Sequence, residues 1–332
     1  MKEWILQFPN HLEESLERYS VPRRKHKRNI RAILLCGMGG SAFGGKLVKH
    51  YVDHQLAVPF DIRQDYTLPA YVNEETLVIA SSYSGDTEET LACVKEAIER
   101  GAAVVGITSG GKLKAMLSEL DLPYYALPSG FAPRAAVGYS ISALLSLLTH
   151  WDFLSNKWHE EVIQAIHILR QEDFQTRGQQ VASRLHGHLP VLYATTLMEP
   201  LAIRLRQQLN ENSKHLCWHH TIPELNHNEI VGWENPRCLF PNLCVLFFHC
   251  PHDLERNRVR LRLTAERIEK QGVPVMHLQL PSYPLLTYML LLLHWVDWIS
   301  YELALLNQVD PLPVKVIDHF KAQLKQSFEN RI

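Results

Sequence analysis

Residues 77–80, Leu-Val-Ile-Ala, form an apolar run too short for a helix, and it gives way at once to Ser81-Ser82-Tyr83-Ser84-Gly85-Asp86-Thr87-Glu88-Glu89-Thr90. Beyond this turn Leu91, Val94 and Ile98 fall on one helix face. A buried strand, a hydroxyl-rich turn and a helix start thus follow one another directly. Thr87 is positioned to cap the helix, and Glu88 and Glu89 suit its first turn. Free N–H groups and the positive end of the helix dipole meet whatever docks there, and phosphate is the usual guest. A capped loop with solvated serines accounts for the same residues.

The arrangement occurs twice. Residues 30–36 form an apolar strand, followed by Gly37-Met38-Gly39-Gly40-Ser41-Ala42-Phe43-Gly44-Gly45 and a helical spacing through Leu47, Val48 and Tyr51. A dinucleotide fingerprint fits only in the variant with alanine at its last position, Ala42, and its acidic ribose partner has only Asp61 or Asp65 as late candidates. Ser41 instead makes this turn resemble the one at 81–90, which favours a sugar phosphate over a nucleotide. Further strands are expected at 60–63, 103–108 and 124–127. Alternation of this kind builds a doubly wound parallel sheet, with ligands at the carboxyl ends of its strands. Arg134 follows the last strand in a Pro/Gly-framed loop and offers a fixed cation for an anionic substrate.

Residues 151–185 read as a helical connector. Alternation resumes with strands at 190–195, 215–218, 243–248 and 275–278 and helices at 200–210 and 254–272. The expected organisation is an N-terminal domain (1–150), the connector (151–185) and a C-terminal domain with terminal helices (186–332). The second half lacks a Ser/Thr/Gly cradle, so it is expected to supply acid–base groups. The apolar stretch 285–296 contains Thr287, Tyr288 and His294 and reads as too short to span a bilayer and as a core or subunit-interface helix.

A net charge of −1 gives no bulk electrostatic case for nucleic acid or an anionic membrane. The basic run at 23–28 then reads as a solvated face. Residues 1–4 lack the features of a signal peptide, and the six cysteines are scattered without CxxC pairs, so a cytoplasmic chain with reduced thiols is expected. His219, His220, His227, Glu224 and Glu229 raise the idea of a metal site, but no HxH or HxxxH pair falls between residues 219 and 229.

Taken with Pro133-Arg134-Ala135-Ala136-Val137-Gly138-Tyr139-Ser140, Asn210-Glu211-Asn212-Ser213-Lys214, Pro223-Glu224-Leu225-Asn226-His227-Asn228-Glu229 and Val309-Asp310-Pro311-Leu312-Pro313-Val314, the two turns resemble those of the sugar isomerase (SIS) domain family. The likeness is to its bifunctional phosphoglucose/phosphomannose isomerases, and it runs along almost the whole chain. Asp86 stands where the family usually has Asn, Ser213 where it usually has Ala, and 217–221 departs from the pattern.

The resemblance implies two flavodoxin-like SIS domains and a metal-free, cofactor-free isomerisation of glucose 6-phosphate, and of mannose 6-phosphate, to fructose 6-phosphate. Ser41, Ser82, Ser84 and Thr87, with Gly40 in the turn, would hold the phosphate. Arg134 would steady the enediolate, and Glu211 would move the proton between C1 and C2. His227 would open the sugar ring, supplied by the neighbouring subunit of a homodimer. Lys321, or Lys325 one turn on, would assist. The chemistry itself asks for a carboxylate reaching both carbons, a group that protonates the ring oxygen and a cation for the developing oxyanion. A sugar-phosphate sensor without turnover and an aminosugar-phosphate isomerase are the alternatives.

Overall fold

The computed structural model describes residues 1–19 and 29–329; the basic run at 23–28 lies outside them. Helices α1 (Lys2–Leu6) and α2 (Phe8–Arg18) precede β1 (Ala32–Cys36), α3 (Gly39–Val52), β2 (Phe60–Arg63), β3 (Thr76–Ser81), α4 (Glu88–Glu99), β4 (Ala103–Thr108), α5 (Gly111–Glu119), β5 (Tyr124–Ala126) and α6 (Val137–His150). The strands form one parallel sheet in the order β2-β1-β3-β4-β5. Every residue of β3 and β4 is buried, as a sheet covered on both faces requires. The strand order reverses between β1 and β3, so the turns after these two strands flank the switch point where such sheets bind ligands.

Helices α7 (Trp158–Gln171) and α8 (Phe174–Leu185) lead to β6 (Leu189–Thr195), α9 (Glu199–Glu211), β7 (Trp218–Ile222), the single-turn α10 (Glu229–Gly232), β8 (Leu243–Phe248), α11 (Glu255–Glu269), β9 (Val275–Leu278), α12 (Leu285–Leu306) and α13 (Lys315–Glu329). The second sheet, β7-β6-β8-β9, is again parallel and repeats the order of the first, short of one strand. The strand expected at 215–218 instead starts at Trp218, which pairs with Val191, and continues through His219, His220 and Thr221. An edge strand of polar residues gives no apolar run to read. Before it, the His215 ring is held by the His188 carbonyl at 2.7 Å.

Helix α12 runs on to Leu306, well past residue 296, and packs against α7, α8 and α9. It is long and apolar enough to cross a membrane, so its length does not decide the matter as the sequence reading had it. Burial does, because 83% of its most apolar window lies inside the fold. Together with α2, α3, α6 and the covered sheet faces, it forms one continuous core. A charge in such a helix needs a partner. Asp297 has one in Arg204 of α9, through a bidentate pair at 2.8 Å on both arms.

Candidate active site

The two turns after β1 and β3 lie against each other. Ser41 Oγ accepts the Tyr83 N–H at 3.2 Å, Ser82 Oγ accepts the Gly85 N–H at 3.1 Å, and Ser84 Oγ accepts the Asp86 N–H at 3.3 Å. The expected side-chain cap by Thr87 is not made. Its Oγ1 instead shares a hydrogen bond with Ser82 Oγ at 2.9 Å, although Thr87 still occupies the N-cap position. A hydroxyl carries one proton and two acceptor positions. These contacts use acceptor positions on Ser41 and Ser84 and one proton of the Ser82/Thr87 pair, which leaves a proton on each of Ser41 and Ser84 and one on the pair. A cluster of hydroxyls with uncommitted protons beside the N-terminus of α4 suits a phosphate group.

Gly85 makes the turn possible. It sits at φ +75°, and a Cβ there would come within 1.8 Å of the Gly110 carbonyl oxygen. Asp86, the departure that would set a charge near the phosphate, turns to the next helix, where its Oδ1 accepts the Lys112 N–H at 3.1 Å at the start of α5. Its charge thus complements a helix dipole.

Gly40 links the cradle to the second cluster. A Cβ on Gly40 would lie 3.4 Å from the Pro133 carbonyl oxygen and 3.5 Å from the Arg134 Cα, so the first turn and the Arg134 backbone are in close contact. Arg134 is 6% exposed. Its Nε donates to Asn212 Oδ1 at 2.8 Å, its Nη2 donates to the carbonyls of Pro311 and Leu312 at 2.8 Å each, and Nη1 lies 3.4 Å from Glu211 Oε2. Burial pulls the guanidinium pKa down and the Glu211 charge opposes that shift. Glu211 ends α9 and keeps about a third of its side chain open to solvent, so its carboxylate can touch a ligand.

Each residue around Glu211 has a task in this seam. Asn212 also donates to Ser300 Oγ at 3.0 Å, and Ser213 Oγ donates to the Ser300 carbonyl at 2.6 Å, which ties the end of α9 to α12. Lys214 is not the ion-pair partner of Glu211 that its place in the sequence allowed. Its Nζ donates to the carbonyls of Glu211 at 2.9 Å and Asp310 at 2.5 Å, satisfying a helix end. Burial and the nearby Arg134 lower its pKa. Arg204 extends the seam by donating to the Arg134 carbonyl at 2.7 Å. The sequence reading missed Arg204, Gln208 and Asp297. The signal was available as polar residues 204, 208 and 212 at i, i+4 spacing on one helix face, opposite Asp297, one of two acids in an apolar helix.

No contact among the described residues brings His227 or Lys321 to this cluster. His227 is exposed in a short helical turn, Glu224–His227, and its ring has no polar partner among the described residues. Lys321 is exposed on α13, which starts shortly after the carbonyls that hold Arg134. No group of three or more His, Cys, Asp or Glu residues among those described could hold a metal ion. His220 and His219 face different carboxylates, Glu229 and Glu199.

Residues 174–324 match the bacterial phospho-glucose isomerase C-terminal SIS domain, and residues 28–115 match the SIS domain. Over 89% of its length the chain is 36% identical to a bifunctional phosphoglucose/phosphomannose isomerase of Aquifex aeolicus, covering 91% of that protein. It is 34% identical over 98% of its length to the protein of that name from Caldicellulosiruptor bescii, covering 99% of it. Among solved structures, the C-terminal domain of glucosamine-fructose-6-phosphate aminotransferase from Francisella tularensis superposes with a TM-score of 0.75 at 16% identity, over 94% of this chain and 97% of that one. That likeness concerns the fold.

Proposed function

The chain belongs to the bifunctional phosphoglucose/phosphomannose isomerase family, with two SIS domains, and we propose that it interconverts glucose 6-phosphate and mannose 6-phosphate with fructose 6-phosphate through an enediol. The observation that carries the reading is the Glu211 carboxylate, open to solvent and 3.4 Å from the buried Arg134 guanidinium, next to a hydroxyl cradle. In this reading Ser41, Ser82, Ser84 and Thr87 hold the phosphate, with Gly40 keeping the turn close to Arg134. Glu211 takes the proton from one of C1 and C2 and returns it to the other. Arg134 stabilises the oxyanion that develops on the intervening enediolate. A planar enediol has lost the C2 configuration, so rotation about C2–C3 lets one site serve both epimers.

Ring opening needs a second proton carrier, and His227 is the candidate. An exposed imidazole with no polar partner among the described residues fits a residue lent to a neighbouring subunit, so the active form in this reading is a homodimer, with Lys321 of α13 assisting. Residues 1–150 then act as the phosphate-binding domain and 186–332 as the acid–base domain, joined by the helices at 151–185. The test is a coupled assay with glucose, mannose and glucosamine 6-phosphates on the wild-type chain and on Glu211→Gln. Turnover of the first two is expected, lost in the variant while a hydroxamate mimic of the enediolate still binds. Normal turnover by the variant would sink the assignment, and binding without turnover by the wild type would favour a sensor.

A further inference from the structure

Around His227 the chain is tied down residue by residue, while His227 itself is not. Asn226 is fixed to α11, donating to Thr264 Oγ1 at 2.8 Å and accepting from Arg260 Nη1 at 3.4 Å. Asn228 accepts the Glu229 N–H at 2.6 Å and donates to Glu224 at 2.7 Å, which closes the turn on both sides of the histidine. The Glu229 carboxylate then reaches into the sheet. Its Oε1 accepts from the Tyr193 hydroxyl of β6, and its Oε2 faces His220 Nδ1 of β7 at 2.5 Å. Tyr193 is fully buried, edge-on to Phe247, and its hydroxyl accepts from Trp233 Nε1 at 2.9 Å. A charged acceptor gripped by two donors on adjacent strands is a firm mount, because charge-assisted hydrogen bonds are the strong ones.

We propose that Tyr193, Glu229 and His220 form a positioning network that fixes the His227 imidazole for ring opening. The inference rests on the isomerase reading above. Its three members do not touch substrate; they set the direction in which His227 projects. A displacement of about 1 Å can cost roughly a hundredfold in rate. Beside the network lies a cavity of about 460 Å³ lined by Trp218, Trp233, Leu239 and Phe240, with Glu229 and His220 in its wall. Truncating Glu229 therefore opens the space of its carboxylate onto a volume that a small carboxylate can enter.

The experiment uses the full chain. Glu211→Gln isolates ring opening, read as exchange between the α and β anomers of glucose 6-phosphate by NMR. Adding Tyr193→Phe or Glu229→Gln to it is expected to slow that exchange about tenfold to a hundredfold, with affinity for the hydroxamate mimic unchanged within about twofold. Acetate is expected to restore part of the exchange in Glu229→Ala and none in Tyr193→Phe. Unchanged exchange in both variants overturns the inference, as does a loss of exchange matched by an equal loss of hydroxamate affinity, which marks a structural role alone. A wild type that never isomerises overturns the isomerase reading and this network with it, whereas an active wild type with unaffected variants overturns the network alone.

Discussion

The Arg134 guanidinium lies 3.4 Å from the Glu211 carboxylate while its Nε and Nη2 groups are engaged by Asn212, Pro311 and Leu312, which leaves Nη1 to face the acid. One planar cation thus connects the loop after the first sheet, the end of α9 and the chain ahead of α13. Arg134→Lys cannot reproduce this fork, because an ammonium is a single point charge. Steady-state kinetics should show kcat reduced about a hundredfold, the usual effect of losing an oxyanion-stabilising donor. A kcat within twofold of wild type would remove Arg134 from the transition state.

Arg204 and Asp297 stabilise the seam behind that cation. Asp297→Leu leaves the Arg204 guanidinium, 1% exposed, without its counter-charge, and breaking one side of a buried pair costs about 3–5 kcal/mol. Urea denaturation should report that loss. Combining it with Arg204→Met should recover most of the stability, because an apolar pair replaces the ionic one. Activity should stay low in the double variant, since the Arg134 carbonyl has lost the donor that held it.

Asp253 gives the stability a pH dependence. It accepts from Thr195 Oγ1 at 2.5 Å, but its Oδ2 is buried with no hydrogen-bond partner among the described residues, and burial raises its pKa to about 6. The folded value is above the unfolded one, so the unfolded chain loses this proton first and folding is weakened as pH rises from about 4 to about 6. The penalty above that window is about 3 kcal/mol, at about 1.4 kcal/mol per unit. Asp253→Asn removes the titration. The stability of the variant minus that of wild type should therefore grow by about that amount between pH 4 and pH 7 in urea titrations, and a difference independent of pH would contradict the assignment.

Much of this is legible in the sequence alone. The runs at 77–80 and 103–108 are apolar without alternation because both faces of their sheet are covered, and that pattern reads directly. The hydroxyl turns and Arg134 are local signals, whereas Glu211 stands out only through the resemblance of residues 210–214 to the isomerase family. The β7 strand was not legible, since His219, His220 and Thr221 face an edge and a cavity and obey no apolar period. Nor was the use of Lys214 and Asp86, whose partners are backbone groups that carry no mark in the sequence. The direction of Asp86 decides whether its charge opposes a phosphate, and only a contact with Lys112 far along the chain sets it.

The cradle makes the last prediction. Ser84 Oγ only accepts, from the Asp86 N–H at 3.3 Å, so its proton is uncommitted and Ser84→Ala removes one donor from the cradle. Hydrogen bonds to a charged group contribute about 1.5–3 kcal/mol, so KM for the sugar phosphate should rise about tenfold to a hundredfold. The phosphate carries the same charge in the ground state and the transition state, and kcat should therefore change little. Inhibition by inorganic phosphate should weaken by the same factor, because it occupies the cradle without the sugar. Gly85→Ala should behave differently, losing binding and folding stability together, since its Cβ meets the Gly110 carbonyl at 1.8 Å and the whole turn must move. If Ser84→Ala leaves both KM and phosphate inhibition as they are in the wild type, the hydroxyls of this turn are structural and the anion is held elsewhere.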